Sequence, residues 1–238
     1  MASRPSAAPA TDAAAALLGR LVELGVRHIV VSPGSRSQAL ALVAAELEAR
    51  GAASVHVRID ERVAGFTALG IGRESGMPAV VLCTSGTAVA NLLPAALEAH
   101  HAGVPLLLLT ADRPPELRGV GANQTTRQPG MFAPSVRFET DLPVPDEVDE
   151  EGTGEQSAML RRVADEAMAA ALGAGTRQAG PVHLNLPYRE PLAGELPGWL
   201  GMPTVELAAA APGPDDAPAA PAPEQGPSGA LYQGCLLY

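Results

Sequence analysis

Residues 79–117 read AVVLCTSGTAVANLLPAALEAHHAGVPLLLLTADRPPEL, and their order decides the fold class. Ala79 to Cys83 and Pro105 to Thr110 are apolar without alternation, as strands covered on both faces are, and the stretch between them, Ala88 to His101, has helical patterning. A strand, a helix and a second strand in that order form a βα unit of a parallel sheet.

The same alternation extends both ways. Upstream, Thr11 and Asp12 are placed to cap a helix through Leu17, Leu18, Leu21 and Leu24 that ends at Gly25. Strand His28 to Val31, helix Ser37 to Arg50, strand Val55 to Arg58 and helix Arg62 to Ser75 follow. Downstream, Met159 to Leu172 reads as a helix, and Pro181 to Leu186 as a closing strand stopped by Pro187 and Pro191. The expectation is an α/β fold: an open, mostly parallel sheet of five or six strands with helices on both faces.

Composition bounds the rest. With 16 basic against 26 acidic residues the formal charge is −10, which argues against general affinity for nucleic acid or an anionic membrane. Cys83 and Cys235 are too few and too far apart for a disulfide framework or a four-ligand zinc site, and no apolar run is long enough for a signal peptide or a membrane span. A soluble, cytoplasmic protein is expected. Every basic residue precedes Pro197, whereas Leu196 to Tyr238 holds eight prolines and the unpatterned run Ala208 to Pro223. Residues 1–195 are therefore read as one α/β domain and 196–238 as a Pro/Ala-rich, disordered tail.

In an open parallel sheet ligands collect where the strands end, so the loops after the strands carry the functional reading. Four are polar: Ser32 to Ser37, Ile59 to Arg62, Thr84 to Thr87, and Thr110 to Leu117. Ser35 and Arg36 open a helix, where free backbone N–H groups favour an anion or merely make a cap. Arg113, between Asp112 and two prolines, is placed to grip a carboxylate in a bidentate fork or to form a surface pair. Glu61, taken alone, is a first-turn acid suited to its helix dipole. Nucleotide fingerprints are absent: Gly70-Ile71-Gly72 falls late in a helix, and no Walker lysine follows a glycine loop. The five histidines lack metal spacing, and Ser85 lacks a nucleophile elbow.

Seven segments in order, SPGSRS at 32–37, DER at 60–62, TSGTAVANL at 84–92, TADRPPEL at 110–117, GANQ at 121–124, RQPGMF at 127–132 and GPVHLNLPYREPL at 180–192, resemble the 2-succinyl-5-enolpyruvyl-6-hydroxy-3-cyclohexene-1-carboxylate synthases, thiamine-diphosphate enzymes of menaquinone synthesis. The resemblance implies that residues 1–195 form the pyrimidine-binding domain. It implies a reaction joining 2-oxoglutarate to isochorismate with loss of carbon dioxide, in which the cofactor does the carbanion chemistry. Glu61 corresponds to the glutamate that hydrogen-bonds the aminopyrimidine, with its pKa raised by apolar neighbours such as Phe66. Ser85, Gly86 and Thr87 would face the pyrimidine. Arg36 and Arg113 would clamp substrate carboxylates, with Ser35, Asn123 and Gln124 as neutral donors.

Such enzymes hold the diphosphate through Mg2+ or Mn2+ bound at a Gly-Asp-Gly motif, and the sequence contains none. The resemblance thus implies the amino-terminal part of a synthase, inactive alone, and a homo-oligomer in the whole enzyme. The alternative is a truncated, non-catalytic interaction module that keeps the fold.

Overall fold

Six strands lie side by side, all parallel, in the order β2-β1-β3-β4-β6-β5. They are β1 (His28–Val31), β2 (Ser54–Val57), β3 (Ala79–Cys83), β4 (Leu106–Asp112), β5 (Phe138–Asp141) and β6 (Pro181–Pro187). The computed structural model describes residues 8–146, 153–174, 178–198 and 200. The fold class read from the sequence is the one found.

Every residue of β3, β4 and β6 is buried, as central strands sandwiched between helices must be. Side chains alternate between two cores, because successive Cβ atoms point to opposite faces. Val80, Leu82, Leu107 and Leu109 enter one core; Val81, Cys83, Leu106 and Leu108 enter the other. Burying a Leu or Val of this kind stabilises the fold by about 1.5–3 kcal/mol.

The helices divide by the same logic. Helices α1 (Pro9–Glu23), α2 (Gln38–Ala49) and α6 (Thr153–Ala171) cover the first core. Helices α3 (Glu61–Ser75), α4 (Thr87–Ala90) and α5 (Leu93–Ala102) cover the second. The β1-to-β2 and β5-to-β6 crossovers run one way along the sheet, whereas those into β3 and β4 run the other way. Crossovers of one hand must then lie on opposite faces when they run in opposite directions. The connections leaving β1 and β3 part company, so the switch point of the sheet, where open α/β folds place their ligands, lies between the carboxyl ends of these two strands.

Three expectations need correction. Helix α1 starts at Pro9 with no side-chain cap from Thr11 or Asp12; the Thr11 hydroxyl, buried, accepts the Gly194 N–H at 3.0 Å instead. Proline at the first helical position needs no N–H, so the start moves upstream. The helix read from Ala88 to His101 is two, α4 and α5, because Pro94 cannot donate and its ring collides with the carbonyl four residues back. The strands read from the sequence lack β5. At its other end α1 closes as the sequence suggests: Gly25, at φ 108°, donates to the Val22 carbonyl, and Val26 to that of Leu21.

Of the segment read as a tail, Leu196 packs half-buried against the first core and Leu200 is buried. The remainder, apart from Pro197 and Gly198, lies outside the described residues.

Candidate functional site

The loop after β1 is tied to both neighbours before any ligand is considered. Ser32 donates through its N–H to the Leu82 carbonyl at 2.8 Å and through its hydroxyl to that of Arg58 at 2.9 Å. A Cβ on Gly34 would stand 2.4 Å from the Thr84 Cβ, so this loop meets the loop after β3 through glycine alone. Arg36 follows, 8% exposed, its Nη1 donating to the Tyr188 carbonyl at 3.0 Å and lying 3.5 Å from Glu190 Oε1. Its Nε–H is buried without a partner among the described residues. Ser35, beside it, is exposed.

In the loop after β3, Gly86 has φ 85°, and a side chain there would meet the Gln124 carbonyl oxygen at 2.9 Å. Its N–H is held by Gln128 Oε1 at 3.0 Å. Ser85 is wholly buried; its hydroxyl donates to the Gln124 carbonyl at 3.0 Å and accepts from Arg113. Gln124 itself is the one non-glycine residue at positive φ among the described residues, at 54°. Backbone held in that region is strained and persists only where its surroundings enforce it. Thr87 begins α4 with its side chain exposed.

Asp112 and Arg113, at the end of β4, do not form the neighbour pair their adjacency suggests. Asp112 Oδ1 accepts the backbone N–H of Arg113 at 2.7 Å, and Oδ2 takes Asn185 and Arg118 at 2.9 and 2.8 Å. The Arg113 guanidinium, 7% exposed, is thereby free to reach Ser85. Burial lowers the Arg113 pKa, and the nearby Arg36 charge lowers it further. Two guanidinium groups thus share one small region, a disposition that favours an anion carrying more than one charge.

Beneath this edge runs a buried polar network that sequence reasoning missed. Asn185 interrupts the apolar β6 and makes four hydrogen bonds: from Nδ2 to Asp112 and Asp141, and to Oδ1 from Gln128 and Thr110. Gln128, wholly buried, also donates to the Ala111 carbonyl at 3.1 Å. His183 Nδ1 donates to Glu139 at 2.8 Å, and that bond holds the Glu139 carboxyl below its ordinary range. Asp112 is pushed up by burial, while Asn185, Arg118 and the Arg113 N–H pull it back. The usable signal was Asn185 itself, since a polar residue inside a buried strand must find partners.

Glu61 is the first residue of α3, half-buried. The preceding Asp60 caps the helix, its Oδ1 accepting the Val63 N–H at 3.0 Å. Glu61 follows β2, so the all-parallel sheet places it on the same carboxyl edge as the loops after β1 and β3, and its charge adds to the burial that pushes the Cys83 thiol up. The expected apolar enclosure is not there: Phe66 is 42% exposed, Val63 49% and Ile59 82%. The structure therefore joins Ser85, Gly86, Arg113 and Gln124 by contact and sets Arg36 within the field of Arg113. It shows no contact from Ser35, Glu61 or the Asn123 side chain to that group. A cavity of about 260 Å3 opens at the Glu190 end of the edge, lined by Arg189, Glu190 and Asp146 among others; Glu61 and Ser85 do not line it.

Residues 11–131 match the family described as thiamine pyrophosphate enzyme, N-terminal TPP binding domain. The chain is 59% identical over 201 residues to the 2-succinyl-5-enolpyruvyl-6-hydroxy-3-cyclohexene-1-carboxylate synthase of Leifsonia xyli, covering 84% of this chain and 33% of the relative. It is 56% identical over 189 residues to the like-named protein of Clavibacter michiganensis (79% and 30%) and 50% identical over 210 residues to that of Kineococcus radiotolerans (87% and 37%). The chain thus spans about a third of the length of the curated relatives it matches.

Proposed function

The chain belongs to the thiamine pyrophosphate enzyme family, and from that premise we propose that it supplies the pyrimidine-binding wall and part of the substrate site of a synthase of menaquinone biosynthesis. The proposed reaction adds 2-oxoglutarate, with loss of carbon dioxide, to isochorismate. The single observation that carries it is the placement on one carboxyl edge of the sheet of Glu61, the Ser85-Gly86 turn and the buried Arg36 and Arg113.

The residues present fit the pyrimidine half of thiamine diphosphate. Gly86, lacking a Cβ, lets the Gln124 backbone close against the turn after β3, and Glu61 begins α3 at the same carboxyl edge of the sheet. When bound, the cofactor supplies carbanion chemistry at its thiazolium carbon. Glu61 would hold a proton at a ring nitrogen of the aminopyrimidine, and Ser85, Gly86 and Thr87 would border the ring. Arg36 and Arg113 would fix substrate carboxylates by charge-assisted hydrogen bonds, with Ser35, Asn123 and Gln124 donating to them. Among the described residues no cluster of three or more His, Cys, Asp or Glu could hold a metal, so no step is assigned to Mg2+ or Mn2+ here. Those ions and the diphosphate would be held by other residues.

The exposed Ile59, Val63 and Phe66 beside Glu61 support a covering surface, which we place on another subunit of a homo-oligomer. Its contact would supply the enclosure that Glu61 lacks. Among the described residues no helix is long and apolar enough to cross a membrane, and the small anionic substrates suit the cytoplasm. A docking module of no catalytic use has no need of two buried arginines side by side, which sets the enzymatic reading first.

Calorimetric titration of this chain with thiamine diphosphate, with and without Mg2+, tests the division of labour. Weak, metal-independent binding and no release of carbon dioxide from 2-oxoglutarate are expected. Tight, metal-dependent binding would overturn the assignment of the diphosphate to other residues.

A further inference from the structure

The carboxylate nearest Arg36 belongs to Glu190, and its geometry is that of a temporary partner. The Nη1 to Oε1 separation is 3.5 Å, longer than the 2.6 to 3.0 Å of most ion pairs in this fold, and the Glu190 side chain is 69% exposed against 10% for Arg36. A buried guanidinium held, among the described residues, by one long ion pair and one carbonyl, with its Nε–H unpaired there, is under-satisfied. A carboxylate set against the fork would take both nitrogens at once.

Glu190 also has somewhere to go. It lines the 260 Å3 cavity with Arg189, and Arg189 is already engaged by Glu116 in a two-pronged pair at 2.7 and 3.1 Å. Swinging into that space costs an exposed side chain little, and no competing cation there holds it.

We infer that Glu190 stands in for a ligand carboxylate: it balances Arg36 while the anion site is empty and leaves when a dicarboxylate binds. The inference rests on the reading of Arg36 and Arg113 as a carboxylate clamp and adds the residue that sets its affinity. Glu190 screens the site from monoanions, which gain too little to displace it, and a dianion that meets both arginines overcomes it.

The test is a titration of the full chain with 2-oxoglutarate, and with its monoacid analogue 2-oxopentanoate, followed by NMR at the Arg36 Nε–H and the surrounding amides. E190Q removes the competing charge from an exposed position and should tighten 2-oxoglutarate binding roughly three- to tenfold, with a smaller gain for the monoacid. R36Q should abolish binding, R36K, which keeps the charge and the packing stem, should weaken it, and neither background should show the E190Q gain. Unchanged or weaker binding by E190Q, alongside loss in R36Q or R36K, overturns the displacement and leaves the clamp standing. Wild-type titration curves in E190Q, R36Q and R36K alike, or no binding by either wild type or E190Q, overturn both.

Discussion

Replacing Asn185 by Leu removes the centre of the buried network while keeping the branched heavy-atom shape of the side chain. Asn185 donates to Asp112 and Asp141 at 2.9 and 2.8 Å and accepts from Gln128 and Thr110 at 2.8 and 3.1 Å. Bonds to charged groups are worth about 1.5–3 kcal/mol each and neutral ones about 0.5–1.5. They cannot be summed, because the partners share one network and Arg118 remains on both carboxylates. The dominant cost is Asp112, fully buried and left with one donor fewer, together with the Gln128 and Thr110 donors that lose an acceptor. A loss of about 3–5 kcal/mol is expected, a large part of a typical domain's stability. Urea unfolding followed by circular dichroism should show it, with a melting temperature lower by about 10 °C. A destabilisation below about 1 kcal/mol would refute the claim that this amide organises the edge.

Two further outcomes follow from single residues. Glu139, held below the ordinary carboxylate range first by its bond to His183, contributes stability that is fully present above that range and is lost as pH falls through its lower folded value. E139Q should therefore flatten the acid limb of a stability-against-pH curve, and a variant with the wild-type acid slope would show that the pair is thermodynamically idle. Gly86→Ala should cost about 1–3 kcal/mol, since φ 85° and a contact of 2.9 Å with the Gln124 carbonyl both oppose a Cβ; a melting temperature equal to wild type would mean that the Gln124 backbone yields freely.

What the sequence revealed follows physical range. The β3, β4 and β6 strands announce themselves because both faces are buried and their composition alone shows it. Gly25 marks a helix end by local hydrogen bonding, as its residue type suggests. Strand β5 gave no signal because Phe138–Asp141 carries three polar, partly exposed residues, and the partners of Glu139 and Asp141, namely His183, Asn185 and Arg118, lie elsewhere along the chain. Thr11 misled for the same reason: its partner is Gly194, not its own helix. At the site, loop glycines and arginines were legible as residue types with known uses. Gln128 and Glu190 were not singled out, because their importance lies in what folds against them.

The strand order carries a consequence for synthesis. β6 emerges after β5 yet must slot between it and β4, so a nascent polypeptide keeps the flank of β4 unzipped until Pro187 has left the ribosome. Arg36 waits equally long for the Tyr188 carbonyl that seats it. Constructive work with shortened versions should therefore cut no earlier than Leu200, whose side chain still belongs to the packed interior.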